Sequence, residues 1–301
     1  LKLQKNIFIG IVLLVTFCTK AQEISFLKKS DTLNKKRRNT VIITESVLAS
    51  GTLIALNELW YKDYARGSFR FKNDNTEWQQ MDKVGHFMTS YYLGKIGMEV
   101  LDWSGVSKKN QLIYGATLGF SFLTAVEILD GFSKEWGAST GDILANAAGT
   151  SLLIGQELLW QEQRITVKYS FNNQTKYAAL RPSALGKNFL EQTLKDYNGQ
   201  TYWLSANIWS FYKQSEIPKW LNIAVGYGAE GMLYGKNSTV NLLQQKPYRQ
   251  FYLSLDVDLT KVKTNSKVLK SIFSVINFIK IPSPTLEINN KGQLKFHYLY
   301  F

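Results

Sequence analysis

The stretch DKVGHF, residues 82–87, sets an aspartate and a histidine four positions apart. On a helix the side chains of Asp82 and His86 lie one above the other, so this spacing puts a carboxylate and an imidazole on one face, with Lys83 beside them. Further along, AVEILDGF places Glu127 and Asp130 three apart, again on one helix face. STGDILANAAGT begins with Ser139, Thr140 and Asp142 and reaches Asn146 four residues later. Gathered in one place, these acids, the imidazole, the amide and the lysine would shift one another's pKa values and support proton transfer or cation binding. His86 would then act as general acid or base, Asp82 or Asp142 would orient it, and Glu127 and Asp130 would hold a cation or a second proton.

Four apolar stretches must position these groups. TVIITESVLASGTLIALN, 40–57, carries one charge, Glu45, and follows the basic KKRR. The DKVGHF helix is expected to run to about Leu101. LIYGATLGFSFLTAVEIL, 112–129, is uncharged until Glu127, and 139–160 is rich in small residues that favour close helix approach. Short connections make the helices antiparallel, so the start of the second, the end of the third and the start of the fourth meet at one end. Simpler roles exist for each residue. Ser139-x-x-Asp142 is a capping box, Asp82 can cap its own helix, His86 and Asn146 can hydrogen-bond across helices, and Glu127 with Asp130 can form a solvated helix end.

Beyond Arg164 the texture changes to short alternating runs. ITVKYSF, WLNIAVGYGAEGML and RQFYLSLDVDL read as strands; GKNFLEQTLKDYNG and VLKSIFSVINFIKI read as helices; TLEIN and QLKFHYLYF form a hairpin about Asn290-Lys291-Gly292. The chain stops on an alternating aromatic strand at Phe301, but five or six strands fall short of a membrane barrel. The expected fold class is therefore mainly α: a four-helix apolar bundle at 39–164 followed by a smaller α+β region at 165–301. The acids on the helices leave two arrangements open, a bundle embedded in or tightly associated with a membrane and one buried in protein that leans on a surface, with the membrane arrangement expected.

The three polar motifs, in this order and at these spacings, resemble those of the YfiM-like family of predicted periplasmic lipoproteins of unknown function, and more loosely those of VanZ-like membrane proteins. The resemblance covers about residues 80–160 and rests on Asp82, Lys83, His86 and Phe87, on Glu127 and Asp130, and on Ser139, Asp142, Asn146 and Gly149. VanZ-like proteins usually carry Gln where Asp130 stands and Arg where this chain has Lys134-Glu135-Trp136, so the YfiM-like pattern is the better fit. The resemblance implies an envelope protein and supplies no reaction.

The N-terminal residues agree with export. Lys2 and Lys5 precede an uncharged run, and Thr19-Lys20-Ala21 offers small residues for cleavage, so 1–21 is read as a secretory signal peptide. The one cysteine, Cys18, is a lipid-attachment candidate disfavoured by the bulky Phe17 before it. A net charge of +13 without aromatic-basic interleaving suits anionic membrane lipid as partner and argues against nucleic acid. Nucleophile elbows, Walker loops and the His-Glu-x-x-His pattern are absent, and two histidines are too few for a multi-histidine zinc site, which leaves a hard cation held by acids open. His297, in the last strand, is read as inert. No cofactor is indicated. Three functions follow: an envelope protein whose polar cluster binds an ion or lipid headgroup, a membrane-embedded enzyme acting on a lipid or lipid-linked substrate, and an interaction module working through the aromatic C-terminal half.

Overall fold

The computed structural model describes residues 28–58, 64–173, 176–236 and 246–301. The signal peptide at 1–21 and the lipidation candidate Cys18 lie outside them. Helix α1, Lys35–Leu56, is capped by the Asn34 side chain, which accepts from the Arg37 amide. It meets the body at its base, where Arg37 stacks over Trp103 at 4.4 Å and Asn34 N donates to Ser104 O at 2.9 Å. Val41 is its buried residue and the rest of the helix projects outward. At about 1.5 Å per residue its 22 residues span about 33 Å, and it is apolar enough to cross a membrane.

Three further helices pack together. In α2, Met81–Trp103, the buried Ser90, Gly94, Gly97 and Leu101 recur at helical spacing, and Gly105, at φ 71°, follows its end. Helix α3, Leu118–Gly131, buries Gly119, Leu123, Glu127 and Gly131. Helix α4, Thr140–Trp160, buries Asp142, Asn146, Gly149, Leu153 and Gln156, a stripe that is polar at both ends and apolar between. Glycines set the crossings: a Cβ on Gly149 would lie 2.1 Å from the Phe87 carbonyl oxygen, and one on Gly119 would lie 2.2 Å from that of Ser90. Tyr91, Met98, Ala116 and Leu153 fill the space between, together with Val167 from the first long strand.

The C-terminal part is one antiparallel sheet in chain order: β3 Ile165–Phe171, β4 Gln200–Asn207, β5 Leu221–Glu230, β6 Tyr248–Val257, β7 Ser283–Asn289 and β8 Leu294–Tyr300. It curls until Tyr300 Oη lies 3.0 Å from Thr201 Oγ1, and the free edge of β3 is covered by residues 278–280, with Tyr169 N donating to Phe278 O and Lys280 N to Tyr169 O. Helices α5, Phe189–Lys195, and α6, Lys267–Ile276, lie between strands. A short parallel pair, β1 Phe71–Lys72 with β2 Ala138–Ser139, stitches the loop before α2 to the start of α4.

This overturns the expected mainly-α four-helix bundle. The alternating runs after Arg164 are consecutive strands of a single six-stranded sheet that stands beside the helices, because each turn returns the chain beside its predecessor. The helical part is also no four-helix bundle. Helix α1 stands off it, and the third apolar stretch is interrupted by a wide turn at Gln111–Gly115, which leaves α3 only 14 residues long.

Replacing Gly149 by Val should force α2 from α4 and cost about 1–3 kcal/mol in denaturant unfolding in detergent. A Cβ at Gly155, on the same helix, meets nothing within 4 Å. Gly155→Ala should therefore be neutral or stabilising by up to about 1 kcal/mol, and equal losses in the two variants would contradict the close-approach account.

Candidate functional site

The polar ends of α2, α3 and α4 do meet. Lys83 Nζ lies 2.7 Å from Asp74 Oδ2, 3.1 Å from Asp142 Oδ1 and 3.4 Å from Asp82 Oδ2. One helical turn along α2, His86 Nδ1 stands 3.1 Å from Asn146 Oδ1, and its Nε2 stands 3.9 Å from Glu127 Oε1. Ligand atoms of Asp82, His86 and Asp142 lie within 4.8 Å of one another. Asp82, His86, Glu127, Asp142 and Asn146 thus share one small volume. Asp130, three residues beyond Glu127, bears on it through its charge, while its carbonyl accepts from Ser133 N and Gly137 N and so closes the loop into β2.

The simpler roles divide. Ser139 does cap α4, its Oγ accepting from Asp142 N at 3.1 Å. The reciprocal half of the capping box is missing, because the Ser139 N–H donates to Glu127 Oε2 at 2.8 Å instead. Glu127 is therefore buried at the start of α4 rather than solvated, and the Asp142 carboxylate is released toward Lys83 and His86. Asp82 is not a cap: Gln80 holds that position, and Asp82 accepts from Tyr197 Oη at 2.8 Å. His86 and Asn146 do bridge α2 and α4.

Two residues of the cluster are not signalled by any motif. Asp74, in the loop before α2, pairs with Lys83 and accepts from Ser139 Oγ at 2.6 Å. Tyr197 arrives from beyond α5, and only the fold brings it to Asp82. A strained turn aims α2: Trp78, Gln79 and Gln80 take φ of 49°, 51° and 63°, a left-handed conformation costing about 1–2 kcal/mol per residue. Partners around the sheet hold it there. Trp78 N donates to Gly235 O at 2.7 Å, Arg249 Nη2 donates to Gln80 Oε1 at 2.6 Å, and Tyr227 Oη donates to Gln79 O.

Charge is distributed unevenly over the cluster. Burial by itself would raise the Asp74 carboxyl, but hydrogen bonds from Lys83 and Ser139 hold it below its usual range. Burial pushes Asp142 up to about 6, with the Asp82 charge adding to it and His86 and Lys83 opposing. Glu127 is pushed up to about 7, first by burial, against the Ser139 amide. Burial would lower His86, yet Asp82, Asp142 and Glu127 outweigh it and hold the imidazole above its ordinary value. Two polar atoms here are left unsatisfied in the interior: Asn146 Nδ2 has no hydrogen-bond partner, and Asp142 Oδ1, close to Lys83 Nζ, is out of line for one.

Residues 69–155 match the family model described as predicted periplasmic lipoprotein (DUF2279). The matched segment contains the whole cluster apart from Tyr197. No curated protein and no solved structure matches the chain. The description places the protein in the cell envelope, exported to the periplasm or its membrane, and supports membrane association. It assigns no reaction and does not extend to the YfiM-like or VanZ-like names.

A second polar concavity, of about 320 Å³, opens at the end of the sheet near Tyr177, Glu230, Gln250, Glu287 and His297. Its acids are answered from within. Tyr177 and Tyr248 donate to Glu230, while Gln250 and His297 bond Glu287, at 2.8 and 2.6 Å. His297, read as inert from its strand position, makes this hydrogen bond to Glu287.

For Asp142, Glu127 and His86 the linkage to folding has one sign, which the lowered Asp74 opposes at the acid end. Raised carboxyl pKa values and a raised histidine pKa both mean that the folded protein binds more protons than the unfolded chain, so stability falls as pH rises from about 4 to above 7. Asp142→Asn with Glu127→Gln should flatten that slope, measured as the denaturant midpoint across the window.

Proposed function

We propose that the cluster is a divalent-cation site in a membrane-associated envelope protein, with Asp82, His86 and Asp142 as ligands. The convergence of their ligand atoms within 4.8 Å supports this reading most directly. Asp74, Asp82, Asp142 and Glu127 supply four carboxylates, against the ammonium of Lys83 and the imidazole of His86, so acids outnumber the basic groups that face them. One imidazole with two carboxylates is a mixed N and O donor set, which suits Zn²⁺ or Mn²⁺ better than a purely oxygen-seeking ion. The same excess of acids repels the phosphate of a lipid headgroup. A bound cation would tie α2 to α4 and add to the brace that Lys83 already makes.

A second reading is a membrane-embedded enzyme acting on a lipid or lipid-linked envelope substrate. It draws on His86, held by the Asn146 amide and backed by Glu127, as acid or base. Incubation with envelope lipids decides it: a product formed by the wild type and absent with His86→Ala supports the enzyme, and an unchanged lipid profile removes it.

For the cation reading, Zn²⁺ or Mn²⁺ at a hundredfold excess over Kd should stabilise the fold by about 2.7 kcal/mol, read as a rise in melting temperature. Asp82→Asn and His86→Ala should abolish the rise, and His297→Ala should preserve it. A melting temperature indifferent to both metals, or an effect that follows His297, would falsify it.

A further inference from the structure

The inner face of the sheet combines an aromatic core of Trp203, Ala224 and Tyr252 with buried ions, while much of its outer face is apolar and exposed. On the inner face, Lys168 Nζ pairs with Asp256 Oδ2 at 2.8 Å, Ser205 Oγ donates to the same oxygen at 2.6 Å, and Lys280 Nζ donates to Leu255 O and Ile281 O at 2.7 Å; all these side chains are buried. On the outer face, strand pairing lines up Leu204, Val225, Leu253, Leu286 and Phe296 in one row across five strands. The next row runs Tyr227, Phe251, Ile288 and Leu294. The same face buries Val167 and Tyr202 against the helices, yet from Leu204 onward it is open, each residue of the first row being 40–54% exposed. Helix α6 repeats the pattern: Val268, Leu269, Ile272, Val275 and Ile276 form an exposed apolar stripe, with Lys267 and Lys270 beside it.

One end of this apolar band is basic and aromatic. Where β4 ends and β5 begins, Trp209, Phe211, Tyr212 and Trp220 gather; Lys219 lies 4.2 Å from the Trp209 ring, and Arg164 lies 5.0 Å from that of Trp160. The exposed Lys213 stands at the same end, 3.9 Å from Glu162, to which Lys261 also donates. An apolar band in register over an interior that holds buried ions, closed by aromatic and basic side chains, is the pattern of protein in contact with lipid.

We propose that the outer face of β4–β8, with the exposed stripe of α6, lies in the hydrocarbon of a bilayer whose anionic headgroups meet the aromatic and lysine collar at that end. The contact is made by side chains and is independent of any lipid on Cys18. It uses no residue of the cation site, so either proposal can fail alone.

The test places single cysteines in the full chain carrying Cys18→Ser and labels them with an environment-sensitive fluorophore. Along β6, Leu253→Cys reports on the outer face and Ser254→Cys on the inner one. With vesicles of phosphatidylethanolamine and phosphatidylglycerol, the label at 253 should shift to the blue and be quenched by spin-labelled lipid, and the label at 254 should do neither. Leu253→Glu with Leu286→Glu, folded by circular dichroism in detergent, should weaken vesicle partitioning by about tenfold or more. Two results would overturn the proposal: a label at 253 that stays in water when vesicles are present, or one that is buried without vesicles while the chain sediments as a dimer, which would assign the face to a second copy.

Discussion

Lys83 carries one positive charge into a place where three separate segments bring carboxylates. Its ammonium is held by Asp74 from the loop, Asp82 from its own helix and Asp142 from α4, with its side chain 12% exposed. In such a setting a buried pair is worth little compared with an apolar core, but loss of one partner costs about 3–5 kcal/mol because the other charges are left uncompensated. The arrangement of the site follows from this constraint. The Ser139 hydroxyl on Asp74, the Ser139 amide on Glu127 and the Tyr197 hydroxyl on Asp82 all satisfy carboxylate oxygens that Lys83 alone cannot. One ammonium cannot neutralise four acids, so the excess moves to Asp142 and Glu127, where burial makes a proton easier to keep than a charge.

The helical half of the cluster was legible because helix periodicity is local. Asp82 with His86, Ser139 with Asp142, and Asn146 one turn further each follow from a spacing of three or four on an apolar helix. Glu127 was placed correctly at the end of its helix, but its partner, the Ser139 amide, belongs to a different element, and a capping-box reading gave that amide to Asp142. Asp74 and Tyr197 had no signal because their contacts depend on a loop path and on a crossing between distant parts of the chain. The strained turn at Trp78–Gln80 was hidden for a related reason: nothing in EWQQ asks for left-handed backbone, and the conformation is imposed by partners around the sheet.

The sheet shows a different limit. Alternation along a strand states that its two faces differ in polarity, and a shift of one residue exchanges them, so the pattern alone does not say which face is inside. In RQFYLSLDV the natural assumption puts Phe251, Leu253 and Leu255 in the core. The structure puts Gln250, Tyr252, Ser254 and Asp256 there instead, where Tyr252 packs on Trp203 and Asp256 finds Lys168 and Ser205 across the curl. The mainly-α expectation failed at the same point. Short alternating runs weigh little one at a time, and their count becomes decisive only once the register shows them to be a single surface.

Both halves of the molecule therefore solve one problem in the same way. Each buries a charged network, Lys83 with its acids in the helices and Lys168 with Asp256 in the sheet, and each turns apolar side chains outward. In water this order would be penalised twice, by desolvation of the ions and by exposure of the apolar rows. Next to a bilayer the second penalty reverses sign, since the apolar rows leave water on contact with lipid. The internal ion pairs then face the cost of desolvation alone, and their close packing offsets it. An envelope protein that meets lipid along its side has reason to keep its charges at the centre, and there Lys83 can hold the helices in register while the surface is left to the membrane.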